Sequence, residues 1–207
     1  MNNKQNKNIW GKKCACGNDV YDFFDEHVWS ESNIGKEVVC SSCKQKVFIK
    51  IEEAREYYND LIYSCFKEVK GNVLDIGCGG GLLTKYLLSK DEVDNVLAID
   101  KDDKTDVKDI FMKIDLNDFD EDIFKMSFDY IVCKDVLMYL NDIDYTFRKL
   151  SKISDKVILL NWHNINHKNC LNKTSPEDIL TILNKYYNNL EISYPFFYKW
   201  GYLIKSK

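Results

Sequence analysis

The chain has 207 residues, with 29 lysines and arginines against 33 aspartates and glutamates, and a formal net charge of −4. This length suits one medium-sized domain with a small second module. The first residues are polar and no apolar run is long enough to span a bilayer, so we expect no membrane partner and a cytoplasmic location. In that compartment the eight cysteines should be thiols or metal ligands rather than disulfides.

Four cysteines lie close together in the first part of the chain, as the pairs Cys14/Cys16 and Cys40/Cys43. Apolar residues flank the second pair, which predicts a β-hairpin with these cysteines at its turn. Four thiolates favour a tetrahedral zinc ion, and a site with all four positions filled by protein is structural. We therefore predict that residues 1–50 form a zinc-ribbon-like module with bound Zn²⁺. The alternative is a thiol-rich hairpin without metal.

From Ile51 to about Val69 apolar residues recur at helical spacing, and the most informative stretch follows. It reads VLDIGCGGGLL from Val73 to Leu83. The apolar run is typical of a buried parallel strand, and a glycine cluster and the start of a helix come directly after it. Glycines remove side chains where the backbone must turn and contact a ligand. This order of elements predicts a site for a nucleoside cofactor.

Two acids and one missing glycine distinguish the possible cofactors. A dinucleotide site uses a third Gly or Ala after the first glycine, and counted from Gly77 that position is Leu82. Asp75 precedes the first glycine, where it would repel a pyrophosphate and attract an amino group. A second apolar strand, at residues 96–99, ends at Asp100, where such folds bind ribose hydroxyls by a carboxylate.

The DIGCGGG stretch with its leading Asp75 resembles motif I of the class I S-adenosylmethionine (SAM) dependent methyltransferases. The resemblance covers residues 51–207 and implies a Rossmann-like α/β fold, with a seven-stranded, mostly parallel sheet flanked by helices. It implies that Asp75 helps to hold the methionine end of SAM, Asp100 the ribose and Asp115 the adenine amino group. The full predicted cofactor-binding set is Asp75, Gly77, Cys78, Gly79, Asp100, Lys101, Asp115, Leu116 and Cys133.

Leu116 and the aliphatic stem of Lys101 would flank the adenine ring. Three other members of the set have an alternative interpretation. The acids around Asp115 are also typical of a solvated loop. Cys78 and Cys133 also suit the role of small buried hydrophobic residues.

Beyond Asp100 the pattern continues to alternate strands and helices. We predict strands near Ile110–Ile114, Phe128–Cys133 and Val157–Trp162, and a helix over Tyr145–Ile153. Ser175 and Pro176 are typical of a helix start, and this helix should run to about Tyr187. The chain closes with two aromatic β segments joined by a turn, and the resemblance implies one antiparallel strand at this end of the sheet.

The acceptor side is less clearly marked. The chain has only two prolines, so it lacks the D/NPPY/F motif by which amino methyltransferases hold adenine or a glutamine amide, and we exclude that class. The predicted strand Val157–Trp162 ends beside the expected substrate crevice. The residues at its end and just beyond it should lie at the rim of this crevice, and they are Asn161, Trp162, His163 and His167. His163 and His167 are candidate catalytic bases because imidazole titrates near neutral pH, or else exposed loop residues.

Met138 and Tyr139 stand where many relatives have polar residues, which predicts either an apolar acceptor pocket or a packed helix. We expect a SAM-dependent methyltransferase acting on an O or N acceptor of a small molecule. The alternatives are an RNA (rRNA or tRNA) or protein substrate, a noncatalytic SAM-binding protein, and a nicotinamide oxidoreductase. An RNA substrate is favoured by the lysines of the first segment, which are Lys4, Lys7, Lys12, Lys13, Lys44, Lys46 and Lys50.

Overall fold

The structure is a computed structural model that describes residues 15–16, 35–40, 42–162, 171, 174–195 and 201–207. The chain divides into two compact units, Met1–Ser64 and Cys65–Lys207, called here the N-terminal and C-terminal units. The predicted boundary after residue 50 lies within the N-terminal unit and stays a prediction. Among the described residues, no helix has both the length and the apolar character needed to cross a membrane.

A hairpin and a helix make up the described part of the N-terminal unit. Strands β1 (Gly35–Val39) and β2 (Lys46–Lys50) pair in antiparallel fashion, with Val38 opposite Val47. Helix α1 (Ile51–Cys65) follows directly. The hairpin predicted around the CSSC turn is therefore present.

A seven-stranded sheet forms the centre of the C-terminal unit. Its strands are β3 (Gly71–Ile76), β4 (Val93–Asp100), β5 (Phe111–Lys113), β6 (Tyr130–Lys134), β7 (Val157–Trp162), β8 (Leu190–Ser193) and β9 (Gly201–Ser206). Their order is β5-β4-β3-β6-β7-β9-β8, with β3 to β7 mutually parallel and β9 antiparallel to both of its neighbours. This confirms the predicted α/β fold and its closing antiparallel strand.

The central strands are apolar because both faces of the sheet are covered. Leu74, Ile131 and Leu159, from three adjacent strands, are completely buried in one hydrophobic core. The carboxyl ends of parallel strands lie at the same edge of a sheet, and ligands bind there in open α/β folds. The segments after β3, β4, β5 and β6 therefore meet along one edge.

Helices α2 (Leu82–Leu88), α3 (Ile143–Leu150) and α4 (Pro176–Leu183) complete the C-terminal unit, with short 3-10 helices at Lys108–Ile110, Glu121–Ile123 and Leu137–Tyr139. Helix α3 starts before the predicted residue because Asp142 accepts a hydrogen bond from the Tyr145 N–H over 2.9 Å and caps it. Ser175 caps α4 as predicted, by accepting from the Asp178 N–H over 3.1 Å.

Helix α1 ends at Cys65, earlier than the predicted Val69. The ammonium group of Lys90 donates to the carbonyl oxygens of Phe66, Lys67 and Val69, over 3.3, 2.6 and 2.6 Å. These hydrogen bonds hold residues 66–69, where the chain leaves the helix in a turn. This contact comes from a distant part of the chain, so helical spacing alone did not show where the helix stops.

Candidate functional site

In the glycine loop after β3, Gly77 and Gly79 lack a side chain for two different structural reasons. Gly77 has φ 68°, and a Cβ at this residue would lie 2.1 Å from Cγ2 of Val136. Its lack of a side chain therefore lets the segment after β6 approach the loop closely. Gly79 has φ 52°, and apart from Gly79 itself and its two chain neighbours no atom of the described residues lies within 4 Å of the place where its Cβ would be. Gly79 thus exposes backbone to open space of the kind that a ligand fills.

The carboxylate of Asp100, at the end of β4, is held in a fixed orientation. Its Oδ2 accepts a hydrogen bond from the Gly79 N–H over 3.0 Å, and its Oδ1 accepts one from the Asp102 N–H over 2.9 Å. An ionised carboxylate has acceptor capacity for about four hydrogen bonds, so both oxygens can also accept donors from a ligand. The predicted ribose-binding acid therefore lies directly beside the glycine loop.

The segment after β5 brings Asp115 and Leu116 to the same edge. Asp115 Oδ1 accepts from the backbone N–H and the side-chain amide of Asn117, over 2.9 and 3.1 Å. The same amide donates to the Tyr139 carbonyl over 3.3 Å, and its oxygen accepts from the Asn141 N–H over 2.7 Å. Asn117 therefore ties the loop after β5 to the loop after β6. No motif of the sequence marks Asn117 as part of the site.

The segment after β6 supplies the remaining wall, and it contains an acid that the sequence analysis missed. Asp135 has φ 59°, a left-handed conformation that is uncommon outside glycine. Its N–H donates to the Leu160 carbonyl over 2.9 Å, and its carboxylate pairs with Lys134 over 2.5 Å. In the structure, Asp135 is distinguished by its left-handed backbone directly after a buried strand. Nothing in the residue pattern reveals this backbone conformation.

These segments enclose a cavity of about 410 Å³. Its lining residues are Gly77, Gly79, Asp100, Lys101, Asp102, Ile114, Asp115, Leu116, Asn117, Asp135, Val136, Tyr139 and Leu140. The lining thus includes six residues of the predicted cofactor-binding set, which are Gly77, Gly79, Asp100, Lys101, Asp115 and Leu116. Four of the lining residues are aspartates and one is a lysine, and two of the aspartates pair with Lys104 and Lys134. The wall therefore keeps a small excess of negative charge, which favours positively charged ligands.

Three predicted cofactor residues do not line the cavity. Asp75 is buried and accepts a hydrogen bond from the Thr84 hydroxyl over 2.6 Å. Burial, with a smaller contribution from the charge of Asp100, raises the pKa of Asp75 to about 7 although the Thr84 hydrogen bond lowers it. Burial raises the pKa of the Cys78 thiol to about 11 and raises that of Cys133 further. Buried thiols of this kind are inert.

The acceptor-side predictions fall partly outside the described residues. His163 and His167 lie there, so their catalytic role stays a prediction. Asn161 is buried rather than at a rim: its Oδ1 accepts from the Leu137 N–H over 3.1 Å, and its amide donates to the Tyr202 hydroxyl over 3.2 Å. It holds the segment after β6 in place.

Met138 and Tyr139 were predicted to belong either to an apolar acceptor pocket or to a packed helix. The structure places them in different surroundings. Met138 is buried, as expected of a packed helix. Tyr139, in the same 3-10 helix, is 37% exposed and lines the cavity. Tyr139 therefore adds one aromatic residue to the cavity lining.

A second candidate site lies in the N-terminal unit. The Sγ atoms of Cys16, Cys40 and Cys43 all lie within 4.8 Å of one another, and those of Cys16 and Cys40 are 3.6 Å apart. Tetrahedral zinc with Zn–S bonds of about 2.3 Å separates its sulfurs by about 3.8 Å, so the three thiols fit such an ion. The N–H groups of Cys43 and Ser42 lower the pKa of Cys40 to about 7. Cys14, the fourth predicted ligand, lies outside the described residues.

Comparison with known proteins agrees with this geometry. The family described as a methyltransferase domain matches residues 51–169, more than half of the chain. The chain therefore belongs to the methyltransferase domain family, and it is a class I SAM-dependent methyltransferase. A comparison with curated proteins gives no match.

Solved structures share the fold at low sequence identity. A SAM-dependent methyltransferase from Clostridium acetobutylicum ATCC 824 is 17% identical, with a TM-score of 0.53 over 72% of this chain and 90% of that one. The N-methyltransferase NodS from Bradyrhizobium japonicum WM9, in complex with S-adenosyl-L-homocysteine, is 17% identical, with a TM-score of 0.52 over 73% and 85%. A complex of the Haloferax volcanii Trm112 activator with a putative methyltransferase gives 13% identity and a TM-score of 0.56 over 74% and 89%.

Proposed function

We propose that the chain binds SAM in the cavity at the carboxyl edge of its sheet and transfers the methyl group to an oxygen or nitrogen acceptor on a small molecule. The observation that carries this proposal is the joint position of Gly79 and Asp100, an open backbone cradle beside a fixed carboxylate. Bound SAM supplies a methyl group on a positively charged sulfur, which a nucleophile attacks in line.

Different residues of the cavity bind different parts of SAM along the edge of the sheet. Asp100 accepts hydrogen bonds from the two ribose hydroxyls, and Gly79 lets the cofactor contact the backbone. Leu116 and the stem of Lys101 cover the adenine ring, and Asp115 accepts from its amino group. Asp75, buried behind the glycine loop, acts through Thr84 by holding the start of α2 in place.

Charge favours this cofactor and a small acceptor over a nucleic acid. The four carboxylates of the cavity attract a sulfonium ion and repel the phosphates of a dinucleotide or of RNA. Tyr139 adds an aromatic surface on which an organic acceptor packs. A macromolecular substrate is the second candidate, because Lys44, Lys46 and Lys50 are exposed around the hairpin of the N-terminal unit.

In the N-terminal unit we propose a structural zinc ion held by Cys14, Cys16, Cys40 and Cys43. The mutual approach of three of these sulfurs supports it. With all four positions filled by thiolates, the ion has no place for substrate or water and stabilises the hairpin instead.

Product fractionation tests the acceptor class. The full chain is incubated with methyl-labelled SAM in three separate reactions. Each reaction contains one fraction of a cell extract, either the small molecules, the RNA or the protein. Label in the small-molecule fraction alone is the expected result. Label in RNA or protein would instead favour the second candidate. A matched reaction with Asp100→Ala, which should not bind SAM, identifies any label that other enzymes transfer.

A further inference from the structure

Asn117 connects two segments of the cavity wall that follow different strands of the sheet. It belongs to the loop after β5, whereas the 3-10 helix that ends at Tyr139 follows β6. The strand order β5-β4-β3-β6 places two other strands between β5 and β6, so strand pairing does not bring these segments together. Contacts beyond the sheet hold them, and one is the hydrogen bond of 3.3 Å from the buried Thr146 hydroxyl to the Leu116 carbonyl.

The side-chain amide of Asn117 supplies the other polar contacts between these segments. Its nitrogen donates to Asp115 Oδ1 over 3.1 Å and to the Tyr139 carbonyl over 3.3 Å. Its oxygen accepts from the Asn141 N–H over 2.7 Å. A primary amide has two N–H donors, one for each of these acceptors, and one carbonyl oxygen. A carboxylate, or the amide turned around, would place an oxygen against the two acceptors. The arrangement therefore requires an amide in this one orientation.

These contacts fix the carboxylate of Asp115. Its Oδ1 accepts from the backbone N–H of Asn117 over 2.9 Å as well as from the amide. Within the part of the chain that the structure describes, the other oxygen, Oδ2, accepts no hydrogen bond. Asp115 lines the cavity, so Oδ2 is the oxygen that a ligand can use there. An ionised carboxylate only accepts hydrogen bonds, and the ligand group beside it must therefore be a donor.

We propose that Asn117 is a positioning residue that makes the cavity selective for a purine with an amino group; this inference rests on the proposed SAM site. By holding Oδ1 of Asp115, Asn117 directs Oδ2 to the amino group of adenine. A base without this amino group leaves Oδ2 covered by the ligand but without a donor, so it binds more weakly. A carboxylate that is free to turn would move back to water and lose this discrimination.

Titration calorimetry of the full chain with two ligands measures this selectivity without the natural acceptor. The ligands are S-adenosylhomocysteine and its deamino analogue, in which hydrogen replaces the amino group of the base. The ratio of their Kd values should fall by about tenfold in Asn117→Asp and in Asn117→Ala, because Asp115 loses the amide donor that orients it. Asp118→Ala should leave the ratio unchanged, since Asp118 is an exposed residue of the same loop and does not line the cavity.

A double variant distinguishes positioning from a general loss of structure. Asn117→Ala should not lower the ratio further in a chain that already carries Asp115→Ala, because it acts through that carboxylate. A general loss of structure would weaken both ligands alike and leave their ratio unchanged. An unchanged ratio in both single variants of Asn117, or a further fall in the double variant, would overturn the proposal. Failure of the unmodified chain to bind either ligand would refute the SAM site, and this inference with it.

Discussion

Replacing Asp100 with alanine should nearly abolish SAM binding. The Asp100 carboxylate is already oriented by the N–H groups of Gly79 and Asp102, so no ordering cost offsets the bonds that it makes to a ribose. Two hydrogen bonds from the ribose hydroxyls to a charged acceptor contribute about 1.5–3 kcal/mol each. Their loss amounts to about 3–6 kcal/mol, which raises the Kd by a factor of roughly 10² to 10⁴.

Isothermal titration of SAM into the two chains measures this difference. Asp100→Asn, which keeps one carbonyl acceptor but no charge, should lie between the unmodified chain and the alanine variant. Asp103→Ala is the matched control, because Asp103 is an exposed acid of the same loop that pairs with Lys108 and does not line the cavity. A folded Asp100→Ala chain that binds SAM as tightly as the control would refute the assignment of this carboxylate to the cofactor.

Three further predictions concern stability and metal. Gly77→Ala should lower the free energy of unfolding by about 1–3 kcal/mol more than Gly79→Ala does, because both positions have positive φ but only the first adds a Cβ against Val136; equal losses in urea unfolding would contradict the contact. The raised pKa of Asp75 means that the folded chain holds a proton that the unfolded chain has lost, so stability should fall as pH rises from about 4 to about 7. Asp75→Asn should flatten this slope, and an identical slope in both chains would show that another group causes it. Cys40→Ser should reduce bound zinc, measured by elemental analysis, from about one ion per chain to nearly none, while Cys65→Ser keeps it; retained zinc in the first variant would exclude Cys40 as a ligand.

The sequence was sufficient for the features that depend on local pattern. An apolar run with adjacent glycines identified β3 and its loop, and β7 was predicted with the bounds that the structure has, Val157–Trp162. The apolar run of β4 pointed to Asp100 at its end, whereas the role of Asp115 came only from the resemblance to the methyltransferase family. Both residues line the cavity, and their contacts with a cofactor stay a prediction.

The features that the sequence did not reveal depend on contacts between distant residues. Asn161 is buried because it binds Leu137, 24 positions away, and Tyr202, 41 positions away. Gly77 must be a glycine partly because Val136 packs on it, and no local pattern contains that information. The left-handed turn at Asp135 likewise results from its fit between β6 and β7.

The most direct test of the account is a calorimetric titration of the full chain with SAM and, in parallel, with NAD. The acidic cavity, the side chain in place of a third glycine at Leu82 and the fixed carboxylate of Asp100 predict one SAM site per chain and no heat of binding with NAD. Binding of NAD, or no binding of SAM to the folded chain, would contradict the account.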